Sequence, residues 1–121
     1  MESHNKKLGE IGEGIARDYL EDRGYQIVEQ NFQNRWGEID LICQKDKIMV
    51  FVEVKTRVGE RFGTPEDAIN SEKKKRLLKN ANAYMVFKKQ RVDSYRIDGI
   101  CIVLNEIGEI KRINHYENIM S

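Results

Sequence analysis

At 121 residues, with 40% apolar and 34% charged side chains, the chain has the length of a single domain, 1–121. That is enough to bury about two-thirds of the unfolded surface without disulfide or metal staples. The apolar runs are short and the first twenty residues carry charge throughout, which argues against a membrane-spanning helix or a secretory leader and points to the cytoplasm. The net charge of +1 hides an asymmetry, because residues 71–91 hold eight basic side chains and one acid, +7 locally, against −6 in the remainder.

From Leu8 to Arg23, the apolar residues Ile11, Ile15, Ala16, Tyr19 and Leu20 recur at spacings of three and four. This predicts an amphipathic helix ended by Gly24. Tyr25 to Phe32 reads as a first strand. Gly37 opens a second, GEIDLICQ, in which Ile39, Leu41 and Cys43 alternate with Glu38, Asp40 and Ile42. After the polar break Lys45-Asp46-Lys47 comes a third strand around VFVEVKTR, and the two should form a hairpin. The loop VGERFGT follows. Thr64-Pro65 has the chemistry of a helix start, and Ser71 is a second candidate cap. Leu77, Leu78, Ala81, Met85 and Val86 then lie on a helical period that runs to about Lys89. Arg96 to Leu104 and Ile110 to Tyr116 are two further strands, with Gly108 turning between them. The order helix, three strands, helix, two strands predicts an α/β domain with a mixed five-stranded sheet flanked by helices.

Cys43 and Cys101 lie in apolar settings and read as buried free thiols. His4 and His115 are single histidines remote from a cysteine pair, so a zinc site is not expected.

The third strand raises a chemical question. Its alternation puts Val50, Val52 and Val54 on one face and Phe51, Glu53, Lys55 and Arg57 on the other. If the hairpin turns on Asp46-Lys47, Leu41 falls opposite Val52, Ile39 opposite Val54, Asp40 opposite Glu53 and Glu38 opposite Lys55. Like charges in direct opposition are unfavourable. Either a divalent cation between the two carboxylates or a shared proton would offset the repulsion. A cross-strand Glu38–Lys55 ion pair is the structural alternative for that end of the hairpin. A lysine two residues beyond a metal-binding glutamate would also be placed to orient a water and to neutralise charge on a scissile phosphate.

These residues resemble the PD-(D/E)xK nuclease superfamily: GEID from Gly37 to Asp40, twelve intervening residues, then EVK from Glu53 to Lys55. Ile39 stands where the superfamily's name has proline. Gly9 and Glu13 in LGEIGEGIA match the branch of Holliday-junction resolvases that adds a glutamate from the first helix, with Glu10 a less favoured choice. The run GEIDLI, VFVEVKTR, a basic helix and Arg96-x-Asp98 is similar, over nearly the whole chain, to the YraN-like bacterial proteins, an uncharacterised family assigned to that superfamily.

The resemblance implies a restriction-endonuclease-like core. It also implies magnesium or manganese held by Asp40, Glu53 and the carbonyl of Val54, with Glu13 reaching it directly or through water. Lys55 would orient water for in-line attack on a DNA phosphodiester. Where some relatives carry glutamine on the second helix, this chain has Lys73 or Lys74.

Lys73, Lys74, Arg76 and Lys79, with Arg57 and Arg61 from the loop, form a set suited to phosphates or, alternatively, to a solvated helix face. Trp36 and Phe62 are either packed or free to stack on an unpaired base. The expected function is a metal-dependent endonuclease of repair or recombination, structure-selective. The competing readings are a non-catalytic nucleic-acid-binding module of the same fold and a protein whose charges form only a structural network. A homodimer or a protein partner is compatible with each.

Overall fold

The computed structural model describes residues 2–89 and 94–120, with side chains from Asn5 onward. Arg91 and the His4 side chain therefore lie outside the described residues. The elements are α1 (Glu2–Asp22), β1 (Gln26–Asn34), β2 (Gly37–Lys45), β3 (Ile48–Val58), a short 3-10 turn (Pro65–Ala68), α2 (Ser71–Phe87), β4 (Ser94–Leu104) and β5 (Ile110–Tyr116). The chain is α/β, with one mixed sheet of five strands in the order β1-β2-β3-β4-β5. Among the described residues only the β3–β4 pair is parallel, and α2 lies in its crossover.

The expected stops and starts form for the expected reasons. Gly24, at φ 87°, closes α1 by a Schellman motif, in which Gly24 N–H donates to the Glu21 carbonyl and Tyr25 N–H to that of Leu20. Thr64 caps the 3-10 turn in a reciprocal capping box with Asp67, and Pro65 follows it. The cap of α2 is Asn70 rather than Ser71: the Asn70 side chain accepts the Lys73 N–H at 2.9 Å. Asp46 and Lys47, both at positive φ, make the two-residue turn between β2 and β3.

Two apolar layers flank the sheet. On one side Ala16 and Leu20 of α1 pack with Leu41, Cys43, Val50, Val52, Val54, Ile100 and Ile102. On the other, Leu77, Ala81 and Tyr84 of α2 pack with Ile39, Ile42, Met49, Phe51 and Ile97. Val50, Val52 and Val54 of β3 thus face α1, as their alternation predicts. Ile39 corrects the expectation for β2: it joins the α2 side, although Leu41 and Cys43 join the α1 side. The alternation of β2 slips at the intervening residue, Asp40.

Beneath α1 lies a buried polar knot. Asp98 is fully buried and accepts two hydrogen bonds from the Arg96 guanidinium, at 2.8 and 2.9 Å, and one from the Asn118 N–H at 3.0 Å. His115 Nε2 lies 2.8 Å from the same carboxylate, and Arg96 also donates to the Tyr25 hydroxyl. Cys43 and Cys101 are free and buried, and burial pushes both thiols up to about 12.

Candidate functional site

The β2–β3 ladder runs from Lys45–Ile48 to Leu41–Val52 in the register that the turn predicts, and it ends there. The next pairs expected, Asp40–Glu53, Ile39–Val54 and Glu38–Lys55, are not made. Instead, Asp40 Oδ2 accepts the Val54 N–H at 2.8 Å, taking over a backbone donor at the point where the strands part. The shift in the alternation of β2 and the end of the ladder are one event, centred on this carboxylate.

Asp40 and Glu53 still meet, side chain to side chain. Burial, then the hydrogen bond and the charge of Glu53, raise the Asp40 pKa well above 3.8, against the opposing pull of the Val54 N–H. A proton held between the two carboxyls is the arrangement this favours. Glu53 is 3% exposed, and its Oε2 lies 3.0 Å from Lys73 Nζ. That contact is an ion pair without the angles of a hydrogen bond, so Oε2 has no hydrogen-bond donor. Lys73, expected among the phosphate contacts, is thereby turned into the acidic cleft.

Glu13 arrives from α1. Gly12 lets the helix sit directly on β3, because a β-carbon there would overlap the Thr56 side chain. Gly9, the glycine of the sequence resemblance, has open space around it. The carboxylates of Glu13, Glu38 and Asp40 each offer an oxygen within 4.8 Å of the others. Burial, followed by the charge of Glu38, raises the Glu13 pKa above 4.5. Asn31, in the left-handed region at φ 55°, bridges two of the three: with its amide nitrogen toward the acids, it donates to Glu38 Oε1 at 2.6 Å and Glu13 Oε1 at 2.8 Å.

Glu38 therefore belongs with Glu13 and Asp40, and the alternative Glu38–Lys55 ion pair is not made. Asn31 escaped sequence reasoning altogether. Its signal was an asparagine inside a strand, where that residue is depleted unless it turns the backbone.

One open cleft of about 730 Å³ gathers Glu10, Glu13, Asn31, Glu38, Asp40, Glu53, Val54, Lys55, Arg57 and Lys73. Among the described residues no carboxylate lies within ion-pair distance of Lys55, so its ammonium is available in the cleft. The other basic residues are dispersed. Lys74 lines a separate hollow with Glu66 and Ile69. Arg76 pairs with Glu72 at 3.3 Å on the exposed face of α2, where Lys79 is also exposed. Arg61 stands beside Phe62, in the loop after β3. Trp36 is half-exposed next to Arg35, and Phe62 is 90% exposed.

The match to known proteins takes in Glu13, Asn31, Glu38, Asp40, Glu53, Lys55 and Lys73. The family model described as "Uncharacterised protein family UPF0102" matches residues 12–102, from Gly12 of α1 into β4. The chain belongs to the UPF0102 family. A UPF0102 protein of Syntrophomonas wolfei is 43% identical over 114 residues, covering 94% of this chain and 97% of its own. One from Clostridium beijerinckii is 36% identical over 118 residues, with 98% and 96% covered. Another, from Dictyoglomus thermophilum, is 38% identical over 107 residues, with 88% and 91% covered. The small bacterial family expected from GEIDLI and VFVEVKTR is thus the one found, and these relatives match 88% to 98% of this chain.

Proposed function

We propose that this UPF0102 chain is a metal-dependent phosphodiester hydrolase acting on DNA, on the PD-(D/E)xK plan, in the cytoplasm and in repair or recombination. The observation that carries the reading is the meeting of Asp40 and Glu53 in a cleft that also holds Glu13, Glu38 and Lys55, the last without an ion-pair partner among the described residues. A hard divalent cation fits the donor set, which is all oxygen: the carboxylates of Glu13, Glu38 and Asp40 converge, two of them with raised pKa values, and Glu53 lies beside Asp40 with its Oε2 ion-paired to Lys73. Asp40, Glu53 and the Val54 carbonyl would hold magnesium or manganese, with Glu13 and Glu38 at its side. When bound, the ion supplies electrostatic stabilisation of the charge that builds on the phosphoryl oxygens.

The chain's own residues do the rest. Lys55 holds the attacking water and directs it at phosphorus, and its positive charge offsets that of the phosphate. The Val54 N–H fixes the Asp40 carboxylate so that the group needs no reorganisation. Arg57, on the cleft wall, contacts the neighbouring phosphate and adds affinity without reading sequence.

The Lys73–Glu53 ion pair favours a second reading. An ammonium already neutralising the buried glutamate would suit a module that binds nucleic acid without turnover. Calorimetric titration of magnesium and manganese into the protein and into Asp40→Asn separates the two. The enzyme reading requires binding in the wild type and little in the variant. It further requires that Lys55→Ala lose cleavage of branched, flapped or single-stranded DNA while keeping DNA affinity. Absence of cation binding in the wild type removes it.

A further inference from the structure

The most exposed large apolar side chain among the described residues is Phe62, at 90%. An exposed aromatic on a mobile loop would mean little, but this loop is braced. Gly59 and Gly63 turn it at φ 68° and 123°, Gly59 N–H donates to the Leu104 carbonyl, and Gly63 N–H to that of Glu60. Arg112 of β5 ties both ends, donating to Glu60 at 2.6 Å and, through two nitrogens, to Glu66 at 2.7 and 2.9 Å. The Tyr116 hydroxyl adds a bond to Glu66 at 2.7 Å. The ring is thus held out into solvent by a rigid support.

Phe62 borders an open hollow of about 450 Å³ with Val58, Arg61, Asn105, Glu106 and Lys111. Arg61 lies 5.5 Å from the ring centroid. An apolar ring and Val58, rimmed by two cations and one acid, have the chemistry of a nucleotide site: a π-face for a base and positive charge for its phosphates. Arg57 lines the cleft, and the next residue of β3, Val58, lines this hollow, so the two lie beside the same end of the strand. From Glu53 to Val58 the strand advances about 17 Å at ~3.3 Å per residue. That is about five steps along a nucleic-acid strand at ~3.4 Å each.

We propose that Phe62 is a stacking post for an unpaired nucleobase at a fork or branch in DNA, with Arg61 and Lys111 on the flanking phosphates. The proposal rests on the reading of the chain as a DNA-acting protein and gives that site its substrate class, duplex adjoining unpaired bases. Base stacking tolerates any sequence, so selection is by shape.

The test is fluorescence anisotropy without metal, so that binding is read apart from chemistry, on a forked DNA and a blunt duplex of equal length. The fork carries 2-aminopurine at its first unpaired position. The wild type is expected to prefer the fork by roughly tenfold and to change the 2-aminopurine emission. Phe62→Ala should abolish both while keeping its duplex affinity and melting temperature, and Phe62→Trp should restore both. Equal fork preference in wild type and Phe62→Ala, or no preference in the wild type, overturns the proposal. So does a wild-type dimer that Phe62→Ala dissociates in analytical ultracentrifugation, which would give the ring to a second copy of the chain. Fork preference lost in Phe62→Ala, with no cutting of any DNA by the wild type in magnesium, would leave this inference standing and remove the hydrolase reading.

Discussion

Lys73 Nζ stands 3.0 Å from Glu53 Oε2, an ammonium from the second helix set against the most deeply buried carboxylate of the cleft. Glu53 is almost without solvent, whereas the Lys73 side chain keeps about a third of its exposure, so the pair is partly screened. Replacing Lys73 by Gln leaves a buried carboxylate with less compensation, and the metal-free protein should lose on the order of 1–2 kcal/mol. A cation bound at the cleft should recover that loss. The thermal shift produced by manganese is therefore expected to be larger in Lys73→Gln than in the wild type. An equal or smaller shift would show that the ion and the lysine do not share Glu53.

Asp40 makes the metal-free protein sensitive to pH in a defined direction. Because burial and Glu53 raise its pKa above 3.8, the folded state holds a proton that the unfolded chain has released. Stability from this group falls as pH rises from 3.8 through the raised value. Asp40→Asn keeps an acceptor for the Val54 N–H and has no such proton. Its melting temperature, measured without metal, should gain on the wild type as pH goes from 5 to 8. Divalent cations should displace the proton, so calorimetry in two buffers of different ionisation enthalpy should register its release.

Gly12 sets the distance from α1 to β3. Gly12→Ala puts a β-carbon into the Thr56 side chain, and overpacking of this kind costs about 1–3 kcal/mol. Thr56→Ala in the same protein removes the nearest atom, the hydroxyl oxygen, and should return part of that stability. Denaturant titration of the single and double variants measures the coupling. Additive losses would place the strain elsewhere.

Asp98 behaves oppositely to Asp40. Burial by itself would raise its pKa, but hydrogen bonds from His115, Arg96 and the Asn118 N–H outweigh it, leaving the carboxyl below 3.8. The stability it contributes is present above 3.8 and is lost as pH falls through the lower folded value. Asp98→Ala leaves the Arg96 guanidinium with only Glu117 and the Tyr25 hydroxyl and should cost at most about 3–5 kcal/mol. Asp98→Asn, which keeps an acceptor, should cost less. Chemical denaturation of the two variants gives the comparison, and equal losses would mean that charge rather than hydrogen bonding holds the knot.

The residues legible in the sequence were those whose relations are local. The Asp46-Lys47 turn dictates a two-residue hairpin, and from it the register of Leu41 on Val52 follows by counting. Alternation along β3 sends its valines to α1 and Phe51 to α2 because a strand's period is two. Family membership, too, lies in short runs such as GEIDLI and VFVEVKTR.

What counting could not supply is where the ladder stops. Asp40 leaves the pairing pattern because its carboxylate competes successfully for the Val54 N–H, and Ile39 then falls to the other face. Likewise, Glu38 joins Glu13 instead of Lys55, Asn31 bridges the two acids, and Lys73 turns inward to Glu53. Each relation joins residues from different elements. The order and faces of those elements were set by periodicity and turn chemistry, which act over a few residues. The meeting of their side chains was decided only by packing of α1 and α2 on a twisted sheet, where a single glycine or carboxylate changes which groups are within reach.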